Sequence, residues 1–176
     1  MAATFEVVQR FNLKAEDVQG TGGLLRSLTD VSLDAFKKSA WAKRHGVYIF
    51  GLTVQKVPKP WYVGLAKGTT LGSEAVSKDK LRKYAAAMMG RTGTPHLTLV
   101  VAPSKGPKKA AIGDLETLLI WIAQARNPDL VNERKIDTSP HEIIELLNRL
   151  HIPGVLNSGK GKPSNAAKDF SKLMGL

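Results

Sequence analysis

His45-Gly46-Val47-Tyr48-Ile49-Phe50, followed after a spacer by Trp61-Tyr62-Val63-Gly64, is the stretch that decides the fold. Each segment sets one Gly and one Tyr inside a run of β-branched and aromatic strand formers. The spacer, residues 51–60, holds Gly51, Pro58 and Pro60, so the whole reads as a β-hairpin that brings two phenols close together. Glycine inside a strand marks close approach by another backbone or a ligand, which gives Gly46 and Gly64 a role beside the tyrosines.

Working outward, residues 67–77 are small and polar and read as a loop. Ser77 can cap a helix from Lys78 to Met89, with Leu81, Tyr84, Ala85 and Met88 at helical spacing. Leu97-Thr98-Leu99-Val100-Val101 reads as a third, buried strand. Residues 110–127 form a helix that is apolar nearly all round, through Ile112, Leu115, Leu118, Leu119, Ile120, Trp121 and Ile122, and Asn127-Pro128 stops it. Ser139-Pro140-His141-Glu142 is a capping box that launches a helix through Leu150. The tail from Asn157 is rich in Gly, Lys and Ser, and a short amphipathic turn with Phe170, Leu173 and Met174 ends the chain. Upstream, Phe5, Val7, Val8, Phe11 and Leu13 hint at a strand, and Ser32 can cap a helix carrying Leu33 and Phe36. The expected fold is α+β: a small three-stranded antiparallel-type sheet flanked by helices. Residues 1–45 read as an extension packed on a 46–136 core, and 137–176 as a C-terminal helix and basic tail.

The chain has 176 residues, enough for one ordinary core, and no cysteine. That excludes a disulfide scaffold, a thiolate zinc site and a cysteine nucleophile. With no membrane-length apolar run and charged Glu6 and Arg10 near the N-terminus, the expectation is a cytoplasmic protein without membrane association. Twenty-six Lys and Arg against fifteen Asp and Glu give a formal charge of +11. The cations cluster at Lys37-Lys38, Lys43-Arg44, Lys78 to Lys83, Lys105 to Lys109 and Lys160 to Lys172, as binding a phosphate backbone requires. The glycines at 20–23 and 159–161 lack a Walker pattern, so no nucleotide cofactor is expected.

Gly46-Val47-Tyr48 and Tyr62-Val63-Gly64 resemble the signature of the GIY-YIG nuclease family. Downstream, Glu116-Thr117-Leu118-Leu119-Ile120 and Asn127-Pro128-Asp129-Leu130-Val131-Asn132 are similar to that family's later block, although the gap from Glu116 to Pro128 is longer than in its excision-repair members. The resemblance covers residues 46–132, about half the chain. It implies an endonuclease hydrolysing phosphodiester bonds in DNA, double-stranded most of all. Its site would contain Tyr48, Tyr62, a helical arginine and a single carboxylate, Glu116, holding Mg²⁺ or Mn²⁺.

The residues themselves bear on that expectation. A carboxylate flanked by Leu115, Leu119 and Ile120 is costly to bury unless paired or metal-bound; otherwise Glu116 is a solvent-edge residue of an amphipathic helix. A lone acid suits Mg²⁺, which keeps much of its water. A phenol titrates near ~10, so a tyrosine base needs cations or a metal-bound water beside it. Arg82 is the only arginine in the helix after the hairpin, while Lys80 and Arg91 compete for the role of catalytic cation. Lys67, Lys80, Lys83, Arg91, Lys160 and Lys162 are the expected nucleic-acid contacts; Gly46, Gly64, His45 and Asn132 are expected to support the site. Two alternatives remain open: a non-catalytic nucleic-acid-binding protein that retains the fold, and a chance motif whose residues do not converge.

Overall fold

The computed structural model describes residues 2–104, 109–135, 137–157, 159 and 162–176. In chain order its strands are β1 (Ala3–Thr4), β2 (Glu6–Asn12), β3 (Ala15–Asp17), β4 (Arg26–Leu28), β5 (Gly46–Val54), β6 (Val57–Ala66), β7 (Thr94–Val101) and β8 (Leu150–His151). The helices are α1 (Asp30–Lys38), α2 (Leu71–Glu74), α3 (Lys78–Met88), α4 (Lys109–Arg126), α5 (Pro140–Arg149) and α6 (Asn165–Met174), with a 3₁₀ turn at Ala40–Lys43. No helix among the described residues is long and apolar enough to cross a membrane.

The fold is mixed α+β around a four-stranded antiparallel sheet in the order β2-β7-β5-β6. Three strands were expected. The fourth is β2, from the segment read as an extension, and it pairs along β7 from Glu6↔Val101 to Asn12↔His96. Without it β7, buried at nearly every position, would present an unpaired edge.

Helices cover both faces, so β5 is buried almost throughout instead of alternating. Val47, Ile49, Val63 and Val100 face α4, α5 and α6 through Leu115, Leu119, Ile143 and Phe170. Tyr48, Phe50, Leu97 and Leu99 face the other way, against Leu33, Phe36, Leu71, Tyr84 and Met88. The β5–β6 turn is shorter than the ten-residue spacer implied: only Gln55 and Lys56 separate the strands, at φ 48° and 67°, as a two-residue turn of this twist requires. Pro58 and Pro60 are tolerated because β6 is an edge strand. A bulge at Trp61 shifts the register, pairing Phe50 with Tyr62 and Gly51 with Pro60. The loop expected at 67–77 contains the single turn of α2, and the terminal amphipathic turn is the ten-residue α6, capped by Ser164.

Candidate functional site

The edge of β6 is where the two helical layers meet. The loop after α4 runs along this edge and satisfies its backbone. Asn127 Nδ2 donates to the Pro60 carbonyl at 2.7 Å, and Val131 N donates to Trp61 O at 2.9 Å. Asn132 takes both groups of Val63, accepting from its N–H at 2.9 Å and donating to its C=O at 2.8 Å. The side-chain amide thus acts as one rung of an extra strand. Past this point a cleft of about 470 Å³ opens between α3 and α4.

Four separate segments converge there: Tyr62 and Lys67 from β6 and its end, Lys80 and Lys83 from α3, Glu116 from α4, and Asn132 to Lys135 from the loop. Lys80 and Lys83 are three residues apart, hence on one face of α3. Their Nζ atoms stand 5.6 and 5.3 Å from the Tyr62 ring centre, within cation–π range. Lys80 is braced by Asp79 at 3.0 Å and Glu74 at 3.7 Å. Burial works against its ammonium, but Asp79 and Tyr62 hold its pKa above the ordinary value. Burial pushes the Tyr62 phenol up, against the downward pull of Lys80.

Glu116 is 8% exposed, so the carboxylate among leucines is in fact largely sheltered. Its counter-charge is Lys135, whose Nζ lies 2.6 Å from Glu116 Oε2 and 3.2 Å from the Gly113 carbonyl. Lys135 reaches it from a backbone at φ 63°, an uncommon conformation for a residue with a side chain. Neither Lys135 nor its neighbours Glu133 and Arg134 were singled out from sequence. The only signal was a run of three charged residues, one acidic and two basic, directly after Asn132. Among the described residues no three His, Asp or Glu side chains gather to hold a metal.

The other expected site residues lie elsewhere. Tyr48 has no exposed surface. It lies opposite Gly64 in the sheet, and a Cβ at Gly64 would overlap its Cζ and Oη. This close approach explains the second glycine; a Cβ at Gly46 would likewise overlap the Val100 carbonyl. The rings of Tyr48 and Tyr62 are 6.2 Å apart, yet only Tyr62 lines the cleft. Tyr48 Oη has no hydrogen-bond partner among the described residues, and burial, followed by the neighbouring Tyr84 and Tyr62, pushes its pKa far above the usual range. Arg82 is exposed and does not line the cleft. Arg91 stacks its guanidinium 4.2 Å over Trp61 and donates to Ala87 O and Met89 O, beside a different pocket. His45 donates through Nδ1 to Thr69 O at 2.7 Å and faces a neighbouring pocket. Lys162 lines a groove beside His151 and Pro153, and Lys160 lies outside the described residues.

The described cleft lining therefore carries Lys67, Lys80, Lys83, Arg134 and Lys135 against Asp79, Glu116 and Glu133. A concave, net-cationic surface with one phenol and one sheltered carboxylate can bind a phosphodiester and hold a proton acceptor near it. No protein-family model, no curated protein and no solved structure matches this chain.

Proposed function

We propose that this protein is a divalent-metal-dependent endonuclease, hydrolysing phosphodiester bonds of DNA in the Tyr62 cleft. The observation that carries the reading is the convergence of Tyr62, Lys80, Lys83 and Glu116, from three different elements, on one open cleft of about 470 Å³. Hydrolysis needs a proton acceptor for water, cations on the phosphoryl oxygens and neutralisation of the leaving oxygen. Tyr62 is the group for the first role, because Tyr48 has no exposed surface. Lys80 and Lys83, both within cation–π range of the Tyr62 ring, would serve the second; Arg82 and Arg91 are not on the cleft. Since the Tyr62 phenol titrates above its ordinary value, it is protonated at neutral pH, and turnover should climb as pH rises.

The donor set fits a sparsely held, hydrated ion. Glu116 is one carboxylate opening on the cleft, and water and phosphate oxygens would fill the remaining positions. Bound there, Mg²⁺ or Mn²⁺ supplies the charge that stabilises the departing oxygen. Lys135 engages Glu116 Oε2, and the phosphates of an incoming strand would free the whole carboxylate by offering the ammonium another partner. The same ion pair favours the second reading, a nucleic-acid-binding protein without catalysis: with Lys135 at 2.6 Å, the carboxylate already has its counter-charge.

Incubation of supercoiled plasmid with MgCl₂, beside Glu116→Ala and an EDTA control, separates them. The nuclease reading expects nicking that disappears in both controls and increases with pH. Nicking that survives Glu116→Ala overturns the assigned site. A salt-sensitive gel shift without any nicking selects the binding protein.

A further inference from the structure

A second pocket, of about 320 Å³, adjoins the cleft at the end of the sheet where β5 begins and β7 ends. Its described lining carries Lys43, Arg44, His45, Lys67 and Lys109 and not one carboxylate. This contrasts with the cleft, whose cations are interleaved with three acids. Among the described residues none of its Lys and Arg side chains pairs with an acid. Two members are held in place by backbone: Arg44 Nη2 donates to the Ala102 carbonyl at 2.6 Å, and His45 to Thr69 O at 2.7 Å. Like charges gathered in a concavity repel one another and focus a positive potential, so the pocket is poised for an anion.

Its position says which anion. Lys67 lines both the pocket and the cleft. On α4, Ile112 lines the pocket and Glu116 the cleft, one helical turn apart, a rise of about 6 Å. At about 3.4 Å of helix axis per phosphate in each strand, that separation spans one to two nucleotides.

We propose that this acid-free pocket is a phosphate subsite for DNA, receiving a backbone phosphate one or two nucleotides from the one in the Tyr62 cleft, with Lys67 touching the strand between them. The inference rests on the reading of the cleft as a DNA site, though not on cleavage. The strand then runs along α4 from Lys80 and Lys83, past Glu116, to Lys43 and Lys109. The 3₁₀ turn, in a segment read from sequence as an extension, supplies Lys43 to this path.

The test is fluorescence-anisotropy titration of a labelled duplex in EDTA over a series of KCl concentrations. It compares the full chain with Lys43→Gln/Lys109→Gln and with a control, Lys14→Gln/Lys56→Gln. All four lysines are exposed, and the control pair lies near the opposite, turn end of the sheet. Matching thermal melts establish that each variant folds, and the single variants Lys43→Gln and Lys109→Gln replace the double if it does not. The pocket variant should bind more weakly, with the slope of log K against log salt reduced by about 0.9, one phosphate contact, while the control keeps the original slope. An unchanged slope in the pocket variant, or an equal loss in the control, overturns the subsite and leaves the cleft reading standing. Failure of the unmodified chain to bind DNA at all overturns both.

Discussion

Replacing the phenol of each motif tyrosine by a phenyl ring should have opposite consequences. Tyr48→Phe removes a hydroxyl that is fully buried and without a hydrogen-bond partner among the described residues. The ring itself stays, and with it the packing against Tyr62 at 6.2 Å and against Gly64. Leaving a buried hydroxyl unsatisfied costs about 1–3 kcal/mol, which the Phe variant recovers. In a chain of 176 residues each kcal/mol moves the melting temperature by about 2–4 °C, so Tyr48→Phe should melt about 2–12 °C higher. It should nick plasmid as the unmodified protein does. Tyr62→Phe, on the cleft beside two lysines, should fold normally and lose about 10²-fold or more in nicking rate, the usual contribution of a proton acceptor. Thermal melts followed by circular dichroism and initial nicking rates, on the same preparations, read both effects. A Tyr48→Phe protein that melts lower, or that loses activity in step with Tyr62→Phe, would refute this division of labour.

Other perturbations test the frame around the site. Asn132→Ala leaves both backbone groups of Val63 without their partner; stability should fall by about 2–4 kcal/mol, and amide exchange at Val63 should accelerate, whereas an unaltered exchange rate would show that the edge needs no such rung. His96 is buried with neither ring nitrogen partnered among the described residues, and burial lowers its pKa to about 3. Its folded pKa lies below the unfolded one, so the unfolded chain takes up more protons between about pH 6.5 and 3, and stability is lost as pH falls through that window. Urea unfolding at pH 4.5 should show about 2–3 kcal/mol less stability from this group than at pH 7.5. His96→Leu should remove that part of the slope; identical pH profiles for the two proteins would exclude His96 as the cause.

Much of the architecture follows from local pattern. The hairpin is legible because Val47 to Phe50 and Trp61 to Val63 have no other use for their β-branched and aromatic side chains than a pleated, doubly covered surface. α4 is legible because its apolar residues go almost all round, which only a core helix tolerates. The same pattern made Glu116 conspicuous. β2 was only hinted at, since its burial is irregular and a register shift between Val7 and Gln9 breaks its alternation.

What sequence alone determined is therefore whatever repeats within a few residues: the strand runs, the apolar helix, the Ser139 cap, and an acid set in apolar company. Tertiary structure decided which of these meet. Tyr48 and Tyr62 share a face of the sheet, but their depth differs because one lies beneath Gly64 and the other at an edge strand beside α3. Lys80 and Lys83 reach the cleft where Arg82 does not, because residues two apart on a helix point to different sides. Lys135 meets Glu116 across nineteen residues of sequence, through a loop whose course is set by the bonds of Asn127, Val131 and Asn132 to the backbone of the open edge of β6. Such contacts depend on where distant elements dock, and no local periodicity encodes that.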